Sequence, residues 1–387
     1  MLKNVFDRSA CGSLLFSASL LASLGVSSAD AKVERPTEIF SESKTHCDTP
    51  QWSPDGKQLA FETYQPKNEI RGVRIVKVSS SLSVNGSGTP VLPLGIRANR
   101  LSGNKLPPVV EFSWTPDMEM LESPYVFSSQ ALNRKNFDIY VDGNWITQAN
   151  SGNDGQPVFS PDSNYLAYTS QQLESGDIML IDFAGDMQPT RLTNTANTTE
   201  YLPQWHPTQP RLLFIRSQKT RGQDIVVIND PKNPTGSLQD VTNWRADEIR
   251  PRWSPDGTKI AFYSNQDTPN DKIYNLWVIN ADGSGAKMLV KDVFGDKNRN
   301  PVWSEDGRYI FFVKHDLDRA NPIMWVDVQS KKKGVITQET QLNEDLSIHY
   351  KNGVNYLAYS AQGFKDSTDK TWKRIFVVRF KMSDLRR

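Results

Sequence analysis

Pro50-Gln51-Trp52-Ser53-Pro54-Asp55-Gly56-Lys57-Gln58-Leu59-Ala60-Phe61 recurs almost intact as Pro251-Arg252-Trp253-Ser254-Pro255-Asp256-Gly257-Thr258-Lys259-Ile260-Ala261-Phe262. Looser copies stand at Pro301-Val302-Trp303-Ser304-Glu305-Asp306-Gly307 and Pro157-Val158-Phe159-Ser160-Pro161-Asp162-Ser163. Two more are Pro203-Gln204-Trp205-His206-Pro207 and Phe112-Ser113-Trp114-Thr115-Pro116-Asp117. Self-similarity at a period of about 45 to 50 residues marks a repeat architecture.

Each copy reads as a hairpin. Ser53-Pro54-Asp55-Gly56 fits a type I turn, with proline pre-setting φ and glycine closing it in the left-handed region. A large ring precedes the turn, and Leu59-Ala60-Phe61 follows with apolar residues on both strand faces. An antiparallel strand with one wet face would alternate; a continuous apolar run means that both faces are covered. Further runs such as Asp177-Ile178-Met179-Leu180-Ile181-Asp182 and Asn275-Leu276-Trp277-Val278-Ile279-Asn280 supply a third strand per unit. Weaker segments such as Thr190-Arg191-Leu192-Thr193 supply a fourth. Four-stranded antiparallel units covered on both faces are the blades of a β-propeller.

Counting the ring residue gives Trp52, Trp114, Phe159, Trp205, Trp253 and Trp303, at intervals of 62, 45, 46, 48 and 50 residues. A seventh copy is placed at Tyr350, 47 residues on, where Leu357-Ala358-Tyr359 echoes Leu59-Ala60-Phe61. The last unit ends at Phe380 one strand short, and a bare edge invites aberrant pairing. Glu38-Ile39-Phe40 stands 13 residues before Trp52, as Leu192 does before Trp205, and is expected to complete that blade. The fold is therefore read as an all-β propeller of seven blades closed by an N-terminal strand, with six blades the alternative.

Composition narrows the function. Lys and Arg number 45 against 44 Asp and Glu, a net charge of +1, so no field is present to draw nucleic acid or an anionic membrane. Residues 1–31 lie outside the repeats. Lys3 and Arg8 precede an apolar stretch from Cys11 to Val26, and small residues follow, the layout of a secretory signal cleaved after Ala29 or Ala31. Residues 32–387 then form one propeller domain without a membrane span, in the periplasm or secreted. Cys47 is left as the lone thiol of the mature chain, read as a small packing residue.

Chemical motifs are sparse. There is no Gly-x-Ser-x-Gly elbow, and the repeats run to Phe380, leaving no expected hydrolase domain. The four histidines, His46, His206, His315 and His349, show no ligand spacing, and no calcium loop is present, so neither metal nor cofactor is expected. A propeller gathers two loop sets at one mouth, those before each inner strand and those joining second to third strands. The first set offers His46, Asp48, Asn153, Asp154, Glu200, Tyr201, Glu248, Arg250, Arg299 and Asn300. The second offers Arg216, Lys219, Arg221, Asp267, Asp271, His315, Asp316 and Arg319. This mixed-charge rim, with Tyr201 as an anchor, suits a protein partner better than a uniformly charged polymer.

The repeated Trp-Ser-Pro-Asp-Gly-Lys-x-Leu/Ile-Ala-Phe resembles the PD40 (TolB-like) propeller repeat of bacterial envelope proteins, most closely at residues 50–61, 251–262 and 301–312. The resemblance implies a periplasmic propeller that recruits an envelope protein, such as the peptidoglycan-associated lipoprotein, at one end of its channel. Two departures separate this chain from the Tol-system proteins: seven units rather than six, and no α/β domain before them. Oligogalacturonate lyase is similar in length and propeller type, but relies on a histidine cluster that this sequence lacks. The sequence reading is an exported, non-catalytic interaction module binding a partner at the mouth. The alternatives are a lyase-like enzyme on acidic oligosaccharides and a small-ligand or glycan binder.

Overall fold

A computed structural model describes residues 33–84, 86–93, 107–131, 135–147, 152–171, 175–268, 273–293, 300–314, 321–337, 341–363 and 372–386. The leader expected at residues 1–31 lies outside them, as do Arg299, His315, Asp316, Asp271 and Arg319. The chain forms seven four-stranded antiparallel sheets. Blades 1 to 6 start at inner strands His46–Trp52, Val109–Trp114, Asp154–Phe159, Thr198–Trp205, Glu248–Trp253 and Val302–Trp303, each followed outward by its next three strands. Seven apolar clusters fill the gaps between neighbouring blades, the last gap included.

The seventh blade is built from both chain ends. Gln341–Lys351, Val354–Gly363 and Arg374–Phe380 supply three strands, and Thr37–Phe40 pairs antiparallel to the third. Thr37 stands opposite Val377 and Glu38 opposite Phe376, while Arg374 and Arg379 pair with Glu38 and Glu34. Ile39 and Phe40 are buried, so the seven-bladed reading and its closure hold. The marker in this blade differs from the expectation. Leu357 pairs with Ile348, just as Leu59 pairs with Trp52, so Ile348 fills the ring position. Tyr350 lies two residues beyond it and is exposed.

Side-chain chemistry explains the repeated phrase. In four turns a serine hydroxyl (Ser53, Ser160, Ser254, Ser304) donates to the aspartate two residues on at 2.5–2.7 Å. The same oxygen accepts the amide five residues on at 2.9 Å. The ring residues are wedges between blades. Trp114, Trp205 and Trp303 each donate the indole N–H to a carbonyl of the preceding blade (Gln51, Val158 and Arg252) at 3.0–3.1 Å. The recurrent proline two residues before the ring sits on the innermost strand, which is the sheet's channel edge, where a missing N–H leaves no ladder partner unpaired.

Candidate functional site at the channel mouth

Every inner strand apart from the short Val302–Trp303 carries a bulge three residues before its ring position. The bulge residues Thr49, Glu111, Gln156, Leu202, Arg250 and Asp345 have φ between 38° and 56°, although none is glycine. Side chains elsewhere cap the amides that the bulges turn away from the ladder. Asp345 of blade 7 accepts from the Thr49 amide of blade 1 at 3.4 Å, and Glu62 of blade 1 accepts from Glu111 of blade 2 at 3.1 Å. Glu111 accepts from Gln156 of blade 3 at 2.8 Å, and Gln156 accepts from Leu202 of blade 4 at 2.7 Å. Four neighbouring blade junctions are thus stitched by one repeated latch. It stops at Leu202, whose side chain has no acceptor to offer the next blade.

The bulge also corrects the rim. An extra residue in the strand shifts the alternation, so the buried face holds the residue five positions before the ring rather than four. Asp154, Glu200 and Glu248 occupy that position and are fully buried, not displayed on an exposed rim. Glu200 accepts from Thr198 at 2.8 Å and from Arg216 at 3.2 Å, and Arg216 also pairs with Asp240. Glu248 accepts from Ser264 at 2.9 Å, and burial pushes its carboxyl up to about 8. Arg216 therefore belongs to the wall as well.

Two pockets open beside these strands. A cavity of about 370 Å³ is lined by His46, Asp48, Glu62, Tyr64, Arg71, Val110 and Lys373, among others. A second, of about 280 Å³, shares Val110 and is lined by Glu111, Asn153, Asp154, Gln156, Gln171 and Tyr201. The Tyr201 hydroxyl donates to Gln223. Arg250 is the bulge residue of blade 5, and Asn300 stands just before the inner strand of blade 6. Arg221 pairs with Asn243, and Lys219 and Asp267 are exposed, none of them lining either pocket.

Between blades 7 and 1 lies the densest charge. Lys373 bridges Asp48 and Glu344 with its ammonium, and its main-chain N–H donates to His46 Nδ1 at 3.3 Å. Burial opposes charge on Asp48, but the Asp345 hydrogen bond and Lys373 hold it below the usual carboxylate range. Burial and then Asp48 push Asp345 well above that range. Burial raises Glu62 to about 7 against the pull of the Glu111 amide. Among the described residues, Asp48, Glu344 and Asp345 are the carboxylates close enough together to hold a metal ion, within 4.8 Å. The lysine ammonium already supplies the cation there.

The histidines are dispersed. His46 meets Trp372 edge-on at 4.9 Å, and burial, then Lys373, depresses its pKa. His206 and His349 stand on the turn face, packed against Gly257 and Gly56 of the following blades. The sequence reading missed Glu62, Glu111, Gln156, Lys373 and Arg252. Glu62, Glu111, Gln156 and Lys373 sit in strand or loop contexts with no motif. Arg252, although inside the repeated phrase, stands out only once the repeats are aligned and the other blades show Gln, Ser or Val there.

Fold and mouth together define a seven-bladed β-propeller with a polar channel entrance of mixed charge. Residues 142–366, more than half of the chain, match the TolB beta propeller domain (PD40) family, and the chain belongs to it. Among curated proteins it is 29% identical over 110 residues to the uncharacterized peptidase YuxL of Bacillus subtilis. That match spans 28% of this chain and 16% of YuxL. Among solved structures, oligogalacturonate lyase from Vibrio parahaemolyticus superposes with a TM-score of 0.59 at 11% identity. It covers 92% of this chain and 96% of the lyase. A puromycin-hydrolyzing peptidase of Mycobacterium tuberculosis gives the same TM-score and identity, over 89% of this chain and 56% of its own. The chain thus spans a sixth of YuxL and little more than half of the mycobacterial peptidase, and these likenesses are of fold. No helix among the described residues is long and apolar enough to cross a membrane.

Proposed function

We propose that this propeller is an exported, non-catalytic module of the bacterial envelope that binds a protein partner across the channel mouth. The observation that carries the reading is the mixture of charge around that mouth. Carboxyl groups (Asp48, Glu344, Asp345, Glu62, Glu111) stand among Lys373, Arg71 and His46 on blades 7, 1 and 2, while Arg250 and Arg252 stand on blade 5. In a ring of seven, blade 5 faces the junction of blades 1 and 2. A mouth that interleaves both signs on blades 7, 1 and 2 and presents arginines on blade 5 suits a partner of mixed charge better than a uniformly charged polysaccharide. Export is supported by the layout of residues 1–31 and by the family.

Crosslinking and pull-down from an envelope fraction, comparing wild type with Arg250→Glu, tests the proposal. Glutamate is suited to the position, because Glu111 occupies the equivalent bulge with φ 53° against 55° for Arg250. Loss of one specific partner with unchanged folding is the expected result. Capture of no partner, together with turnover of oligogalacturonate by the wild type, would transfer the case to the lyase-like reading.

A further inference from the structure

Arg252 sits one residue before the ring position of blade 5, on the strand that borders the channel. The other six blades carry Gln, Ser or Val there. In blades 1 and 4 the residue is Gln51 or Gln204, and each donates its amide to a main-chain carbonyl of the next blade, at 2.9 and 2.7 Å. Arg252 makes no such crossing among the described hydrogen bonds. Its Nη1 donates to the carbonyl of its own neighbour Pro251 at 2.9 Å, and no described carboxylate pairs with the guanidinium. Burial, then the nearby charge of Arg250, pulls it down to about 10, and Tyr263 is the neighbour that favours its charge. An enclosed guanidinium beside a second arginine and without a counter-anion is costly, and such a charge is ordinarily met by a partner. Arg252 is half-buried, and three further strands of its blade stand between it and the outer surface. Its accessible part therefore opens on the channel.

We propose that Arg252, with Arg250 nearer the mouth, seats a carboxylate of a peptide segment that enters the channel. This rests on the interaction role proposed above and names the group that the partner inserts. A guanidinium fork matches a carboxylate by two parallel hydrogen bonds. The carboxyl groups among the opposite residues (Asp48, Glu62, Glu111) favour a peptide whose neighbouring residues include a basic one over a polyuronate, which would carry a carboxylate on every sugar.

Arg252→Gln is the informative variant, because glutamine is what blades 1 and 4 already hold at this position, so the ring should close normally. Thermal shift and calorimetry on the full chain would use four probes. These are a short Gly/Ala/Lys peptide with a free C-terminal carboxylate, the same peptide amidated, an amidated version containing one Glu, and trigalacturonate. The expected result is binding of a carboxylate-bearing peptide by wild type, weakened about tenfold or more in Arg252→Gln and less in Arg252→Lys. The free-acid and Glu-containing probes decide between a chain terminus and an acidic side chain. Equal binding by Arg252→Gln would overturn the proposal, as would trigalacturonate binding in place of the peptides. If no probe binds wild type, the carboxylate seat fails, while the Arg250→Glu pull-down still judges the interaction role separately.

Discussion

Gly257 shows how tightly one position of the repeat is determined. Its φ is +69°, and a Cβ there would stand 1.8 Å from Nε2 of His206 in the preceding blade. The histidine has little room to retreat. Its Nδ1 accepts the amides of Thr208 and Gln209 at 3.2 and 3.1 Å, and its ring lies edge-on to Trp253 at 4.9 Å. Gly56 and His349 repeat the arrangement at the seam, with 2.0 Å to the same nitrogen. Gly257→Ala should therefore cost on the order of 3 kcal/mol, from left-handed strain plus overpacking. His206→Ser restores the residue that most turns carry, so the double variant should lose less than the sum of the singles. Urea unfolding of the four proteins measures that coupling, expected at about 1 kcal/mol or more. Strict additivity would mean that the imidazole is not what fills the space over the glycine.

The closing strand carries the clearest mutational expectation among the elements. Ile39 is 6% exposed and packs in the cluster between blades 7 and 1 with Phe61, Ile375 and Val377. Ile39→Asp should cost about 3 kcal/mol or more, through lost apolar burial and an unpaired charge. Deleting residues 32–44 should expose two edges and lower the melting temperature far more; a truncated protein melting close to wild type would refute the clasp. Seven blades and their closure were legible because turn chemistry and ring spacing are local signals. Blade 7 was misregistered because Ile348 fills a site whose usual marker is aromatic, and the nearby Tyr350 imitated it. Asp154, Glu200 and Glu248 read as rim residues in the sequence because a one-residue bulge leaves no trace in composition, yet it reverses which side chains face inward. Lys373 escaped notice because its partners Asp48 and Glu344 are 325 and 29 residues away in sequence.

For the molecule as a whole, buried ionisable groups shape stability against pH in two opposed directions. Glu62 and Glu248 are raised to about 7 and about 8, so between their unfolded values near 4.5 and those figures the unfolded chain has lost protons that the folded chain keeps. Their contribution falls as pH rises through that window. His46, His206 and His349 are depressed, chiefly by burial, so the unfolded chain binds more protons below about pH 6.5 and their contribution rises with pH. Glu248→Gln should remove one falling component, and its advantage over wild type should grow from pH 5 to pH 8 in paired melting curves. A pH-independent difference would show that Glu248 titrates normally. The seam has a mechanical side as well. Thr37 faces Val377, and Glu34 N–H donates to the Arg379 carbonyl, so both chain ends leave from the same end of one antiparallel pair. Tension applied between the termini would peel those bonds singly, like a zip, whereas tension between two inner strands would load a whole ladder in shear. The ring is weakest against a pull on its own two ends.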